Sequence, residues 1–354
     1  MKPDAIEFVE GLYDCEARDA EWLDRLVRGA VALVQGAQNA YCYRIEVSSG
    51  SGSRVVGAPV CVGLGDGFQG EFTSFVNSYH LSAEASREFR RLHCSQRKVS
   101  TISDQLGREN MGASPHASFV RAHGSQDAFG CVALDAEGRG IVIAAGLARI
   151  TSLPRRIRSL WSVLAAHVAT ANRMRARGHQ HDECVMAPDG RAVQAEGDAK
   201  RLGARERLRE AVVSRDRARM REARTEPQEA LALWPAMVAG RWSLADRFER
   251  NGRRYIVARR NEPSPPGPLA LTVRERQVCG HLVQGDSVKL TAYTLGLAPS
   301  TVSAIARSAL LKLGVRSASE LAAFAGVSVA TIERVEGPVR PASRRRCTRI
   351  RPRP

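Results

Sequence analysis

The feature that most constrains this chain is a run of three helical repeats between residues 269 and 325. In the first, Val278, Cys279, Leu282 and Val283 share one face, and Gly285 stops the helix. The second is short, with Val288, Ala292 and Leu295 inward and Gly296 as its stop. The third sets Val302, Ile305, Ala306, Ala309, Leu310 and Leu313 at 3.6-residue spacing and ends at Gly314. Gly296-Leu297-Ala298-Pro299 is a tight turn, and Pro299 suits a helix's first turn, where its missing N–H has no partner to lose. A short helix, a Gly-containing turn and a longer helix make the helix-turn-helix arrangement.

The face of the third helix opposite its apolar stripe carries Ser303, Ala304, Arg307 and Ser308, and no acidic residue stands between Pro299 and Leu313. Small side chains let a backbone approach a groove, and an arginine can pair bidentately with guanine. A merely solvated helix face is usually richer in Glu and Lys. The composition therefore points to duplex DNA.

These residues resemble the LuxR-type DNA-binding domain of bacterial transcription regulators. Leu271-Thr272 and Arg274-Glu275 match that family's opening, Gly285 its first stop, and Lys289 and Ala292 its second helix. Leu295-Gly296-Leu297, Thr301-Val302, Lys312-Leu313-Gly314-Val315 and Glu320-Leu321 match the turn, recognition helix, exit and last helix. The resemblance implies a four-helix domain over 269–330. It places DNA contacts at Lys289, Ser300, Thr301, Val302, Ser303, Ala304, Arg307 and Lys312, with 303, 304 and 307 as base readers. It also implies a homodimer through Leu321, Phe324 and Ala325 of the last helix. Four positions depart from the pattern: Leu290 replaces an acid, Ala298 the usual Ser N-cap, Ser303 a basic residue and Ile305 a His. Losing such a cap typically costs ~1 kcal/mol.

The rest of the composition agrees with a polyanionic partner. The chain has 354 residues, room for two or three domains, and 53 Lys+Arg against 37 Asp+Glu give a formal charge of +16. Nucleic acid outranks a membrane surface, because no segment is a basic amphipathic helix with aromatic anchors. No run of eighteen apolar residues and no N-terminal signal region exist, which predicts a cytoplasmic protein. Eight cysteines, at 15, 42, 61, 94, 131, 184, 279 and 347, form no C-x-x-C pair, so neither a structural zinc nor a disulfide framework is indicated.

Upstream, periodicity predicts a helix over 18–35, strands over 41–47 and 54–62, and helices over 68–79 and 82–94. An irregular stretch follows from 107 to 124, then a hairpin over 131–145 and a long helix after Pro154. This element order resembles a GAF domain, and residues 1–177 are read as a GAF-like sensory domain. His80, His93, His116, His123, Cys94 and Cys131 match no nucleophile, zinc or triad signature, so no catalytic residue, metal or cofactor is expected. His179, His181 and Cys184 are too local and crowded for a metal site.

Residues 184–260 read as a hairpin, two helices over 200–223 and 227–239, and strands at 242–248 and 255–259 around Asn251-Gly252, a small PAS-like α+β module. The segment from Lys200 to Arg224 carries ten Lys or Arg against four acids, read first as a solvated face. Residues 261–268, with four prolines, are a linker. The tail 337–354, with seven arginines and no acid, is predicted to be disordered and basic.

The expected fold class is thus α+β, GAF-like then PAS-like sensory modules, followed by an all-α four-helix helix-turn-helix domain. The expected function is a one-component DNA-binding transcriptional regulator and not an enzyme. Its candidate partners are double-stranded DNA, a second copy, RNA polymerase and a small-molecule effector. Two other classes are a factor resembling sigma region 4, which shares the LT-x-RE opening, and an enzyme with an appended DNA reader. The Lys-Leu-Gly-Val exit and the Ser317–Phe324 signal favour the LuxR type over the first, and the second lacks a visible catalytic constellation.

Overall fold

The computed structural model describes residues 4–14, 16–48, 52–78, 83–93, 98–135, 139–176, 182–248, 252–261, 271–313, 317–318 and 321. Helix α1 (Ala5–Leu12) starts where the Asp4 carboxylate accepts the Glu7 N–H at 2.8 Å. Helix α2 (Asp19–Leu33) buries Trp22, Leu23, Leu26, Val27 and Ala30, the stripe that its 3.6 period predicts.

Five antiparallel strands follow: β1 (Ala37–Ser48), β2 (Gly52–Val62), β3 (Val99–Thr101), β4 (Asp127–Leu134) and β5 (Arg139–Leu147), in the order β2-β1-β5-β4-β3. Alternation along the strands supplies two cores. Ala40, Cys42, Cys131 and Ile143 face α2 and the long helix α7 (Arg155–Ala176), where Trp161, Leu164 and Val168 are fully buried. Tyr41, Tyr43, Val132 and Val142 face the other way, onto Phe68, Phe72 and Val76 of α3 (Phe68–Ser78) and Phe89 of α4 (Ala83–His93). The stretch expected to be irregular contains α6 (Pro115–Ala122), capped by Ser114 with Pro115 in its first turn. The helices α1 and α5 (Ile102–Leu106) and the short β3 are further elements that hydrophobic periodicity did not mark.

A second antiparallel sheet, in the order β7-β6-β9-β8, joins β6 (Asp182–Met186), β7 (Ala192–Ala195), β8 (Trp242–Phe248) and β9 (Arg254–Arg260). Between its two halves lie α8 (Leu202–Ala218), α9 (Arg221–Arg224) and α10 (Pro227–Ala232). The two helices expected here differ from those observed. The first breaks after Ala218, and the second ends at Ala232 because the chain beyond dives inward to bury Trp234, Ala236, Met237 and Val238. Part of this region packs into the first core: Ala218, Leu231, Trp234, Ala245 and Val257 join the cluster around Trp161.

The basic segment is more than a solvated face. Arg215 is buried against Trp234, its guanidinium carbon 4.3 Å from the ring centroid, with Tyr13 beyond at 5.4 Å and Asp246 Oδ2 at 2.8 Å. Burial lowers its pKa to about 10, opposed by the Asp246 charge, so it stays cationic at neutral pH. A desolvated guanidinium set beside the stacked Trp234 and Tyr13 rings and paired with a carboxylate ties α8, the end of α1 and β8 into one unit.

The chain closes on α11 (Val273–Val283), α12 (Val288–Leu295) and α13 (Pro299–Leu313). An α+β, sheet-rich region thus precedes a helical domain. Among the described residues no helix is long and apolar enough to cross a membrane.

Candidate nucleic-acid interface

Each helix of the closing domain begins and ends where local chemistry dictates. Thr272 and Glu275 form a reciprocal capping box on α11: the Thr272 hydroxyl accepts the Glu275 N–H at 3.2 Å, and the Glu275 carboxylate accepts the Thr272 N–H at 2.8 Å. Ser287 caps α12 by accepting the Leu290 N–H at 3.2 Å. Gly296 ends α12 in the left-handed region, φ 61° and ψ 46°, which glycine alone adopts without a Cβ penalty. Ala298, standing where the family has a Ser cap, still gives its carbonyl to the Val302 N–H at 3.1 Å.

Val278, Leu282, Ala292, Leu295, Val302 and Ala306 form the domain's core. Each fully buried Leu or Val of such a set contributes roughly 1.5–3 kcal/mol. Val302, expected among the DNA-contacting residues, is 0% exposed and belongs to this core. Its side chain holds α13 up from below and presents nothing to a ligand. Leu321, expected at a dimer contact, is likewise buried, clustered with Cys279 and Ala309 of its own domain. Both side chains turn inward because burying them on the apolar faces of α11 and α13 removes them from water. Phe324, Ala325 and most of the expected fourth helix lie outside the described residues, as does the Lys312 side chain.

The remaining expected residues share one open surface. Ser300, Thr301, Ser303, Ala304 and Arg307 are exposed on α13, and Lys289 is exposed on α12. Ser308, on the flank of α13, is half-buried and donates its hydroxyl to Glu275 Oε1 at 2.6 Å. The outward face is therefore small, hydroxyl-bearing and positive, a surface that can lie in a groove without steric or acidic obstruction.

Residues 269–325 match the GerE family of bacterial regulatory proteins (luxR family). This segment is a LuxR-type helix-turn-helix domain. No curated protein matches the chain. Among solved structures, Escherichia coli SdiA is 10% identical to this chain, covering 88% of it and 92% of that chain, with a TM-score of 0.30. A likeness that loose carries no argument, and the family reading rests on residues 269–325.

The LuxR-type domain is packed onto the region before it, through contacts that no sequence signal announced. Met237 enters the domain's core, the Gly240 N–H donates to the Leu295 carbonyl, and Gln277 Nε2 donates to the Gly240 carbonyl at 3.0 Å. A Cβ on Gly296 would meet the Met237 carbonyl oxygen, so the turn before α13 is seated directly on this loop. Nearby, Lys98 Nζ lies 2.9 Å from Asp286 Oδ1, and His281 Nδ1 lies 2.8 Å from Asp286 Oδ2. Burial alone would raise the Asp286 pKa, but the His281 hydrogen bond and the Lys98 charge outweigh it and hold the carboxyl below its ordinary value. Gln284 completes the contact, accepting from Lys98 Nζ at 2.8 Å and donating to the Asp135 carbonyl. Lys98, His281 and Asp286 line a small cleft between α7, β4 and α12.

A second small cleft lies on the aromatic side of the first sheet, lined by Tyr41, Tyr43, His93, Gln105, His116 and neighbours. Burial lowers the pKa of His93 to about 4 and that of His116 to about 3, the latter with help from His93. Both imidazoles are neutral at physiological pH, and His93 donates from Nδ1 to the Phe89 carbonyl at 2.8 Å, which leaves its Nε2 to accept from the Tyr43 hydroxyl. Cys42 and Cys131, by contrast, are pushed up to about 12 by burial and carry no thiolate.

Proposed function

We propose that this protein is a one-component transcriptional regulator that binds duplex DNA through α13 and senses a signal in its α+β region. The observation that carries the reading is the exposed, acid-free face of Ser303, Ala304 and Arg307 on a LuxR-type domain. Arg307 reads a base edge; Ser300, Thr301 and Lys289 meet phosphates, and the +16 charge supplies long-range attraction. The first sheet and its helices serve as a GAF-like sensor (1–177), the second sheet as a PAS-like module (184–260), and the cleft beside His93 and His116 as the seat of a small-molecule effector. The packing of α12 on α7 and the Lys98–Asp286 pair support coupling between sensor and reader. The working unit is a cytoplasmic homodimer assembled through the segment around Phe324 and Ala325, with two recognition helices about one DNA turn, ~34 Å, apart. RNA polymerase is its partner at the promoter.

The test selects bound sequences from a random duplex pool with the full-length protein, then compares wild type with two variants on the recovered site and on random DNA. Arg307→Ala is expected to cost ~1–3 kcal/mol on the site and to relax its sequence preference, whereas Lys289→Ala weakens both DNAs alike. Failure of the wild type to enrich any sequence would sink the proposal.

A further inference from the structure

Positive charge does not stop at the helix-turn-helix domain. Ser308 of α13 touches Glu275, the third residue of α11, and Arg274 is the second, so Arg274 stands beside the reading helix. Three residues on, Gln277 holds the Gly240 carbonyl at 3.0 Å, which fixes Arg241 against the same end of α11. Arg241 pairs with Asp198 at 3.0 Å, and Asp198 also meets Arg260 at 3.5 Å and Arg201 at 3.6 Å. Arg260 reaches Glu183 at 3.0 Å as well. Arg207 lies exposed in the second turn of α8, just beyond Arg201. Three guanidiniums, of Arg201, Arg241 and Arg260, are thus gathered around two carboxylates, and the charges of Arg207 and Arg241 act on Arg274 beside them. Among the described residues neither Arg207 nor Arg274 has a carboxylate within ion-pair distance. Burial, then the charges of Arg241 and Arg207, hold the Arg274 guanidinium below its ordinary pKa. Crowded like charges destabilise the fold that carries them, and an anion laid across them removes that cost.

We propose that Arg274, Arg241 and Arg207 form a second DNA-contacting ridge, which follows backbone phosphates from the recognition helix onto the α+β region. The inference rests on the DNA-binding reading above and extends it. It makes the docked arrangement of the two regions the DNA-bound one, with the α+β region enlarging the footprint. A duplex backbone is the fitting partner because the arginine cluster continues from α11, which packs on α13, and sequence plays no part in phosphate contacts.

Full-length protein is titrated onto a random-sequence duplex of about four helical turns, ~40 base pairs, across a series of salt concentrations. Arg207→Ala and Arg274→Ala are each expected to weaken binding and to lower the slope of log K against log salt by about 0.9, the value of one phosphate contact. Arg207→Lys should retain the slope. Arg217→Ala, exposed near the end of α8, should leave it unchanged. Arg207 is exposed, so its substitution leaves the fold intact and keeps the test decisive even if Arg274→Ala unfolds the domain. An unchanged slope for Arg207→Ala overturns the ridge, and so does an equal fall for Arg217→Ala, which would reflect net charge alone. A wild-type protein without salt-sensitive binding would instead refute the regulator reading itself.

Discussion

The hydroxyl oxygen of Tyr293 in α12 lies 2.7 Å from His167 Nε2 in α7. Tyr293 faces two carbonyl oxygens, Leu231 at 2.7 Å and Trp234 at 2.8 Å, which can only accept, so its single proton goes to them. Its oxygen then accepts from His167 Nε2–H, which leaves His167 Nδ1 bare to accept from the Tyr13 hydroxyl at 2.9 Å. One proton arrangement satisfies all three side chains and links α1, α7 and the DNA-binding domain.

Tyr293→Phe removes the acceptor of the His167 N–H and strands it in a buried site. The expected cost is about 1–3 kcal/mol, concentrated at the junction. Hydrogen exchange should rise in α12 and in the 231–238 loop well before it rises in the first sheet. Uniform exchange across the chain would show that Tyr293 does not hold the junction.

Acid should loosen the protein through its buried histidines. His167 is lowered to about 3 by burial and then by the Arg215 charge, and His116 and His93 are lowered to about 3 and about 4 by burial. A folded pKa below the unfolded ~6.5 means that the unfolded chain binds more protons below pH 6.5. Stability is therefore fully present above that value and is lost as pH falls toward the folded pKa. By pH 5 each histidine withdraws about 2 kcal/mol. The urea midpoint should drop between pH 7.5 and 5, and His116→Gln should shrink the drop. A midpoint that is level across this range is the contrary result.

Breaking the Lys98–Asp286 pair from either side should cost about 3–5 kcal/mol, because the remaining charge stays buried. Lys98→Met with Asp286→Leu should cost less than the two single changes together. A double-mutant cycle by urea denaturation measures this coupling, and strict additivity would deny the contact.

Gly296→Ala meets two obstacles: a left-handed backbone, and a Met237 carbonyl oxygen where the new Cβ must go. The expected loss exceeds the ~1 kcal/mol of the backbone penalty alone. Its signature is a separate, earlier melting of α11–α13 in calorimetry. Retention of a single unshifted transition would place the strain elsewhere.

What the sequence determined by itself is local. The 3.6-residue stripes of α2, α7, α11 and α13, the apolar runs of the β4–β5 hairpin, and the Gly296–Pro299 turn all follow from interactions within a few residues. So does the outward face of Arg307. The tertiary structure decided everything that depends on neighbours distant in the chain. Leu321 was expected at a dimer contact yet packs on Cys279 and Ala309 of its own domain, whereas the burial of Val302 was already legible in the apolar stripe of α13. Arg215 stands in a segment that reads as a solvated face, and only packing against Asp246 and Trp234 buries it; Lys98 carries no sequence signal, and only its place beside Asp286 buries it. Tyr293, His167 and Tyr13 have no spacing that pairs them. Their hydrogen bonds exist because α1, α7 and α12 are brought together by burial, which is non-directional and leaves no pattern in the order of residues.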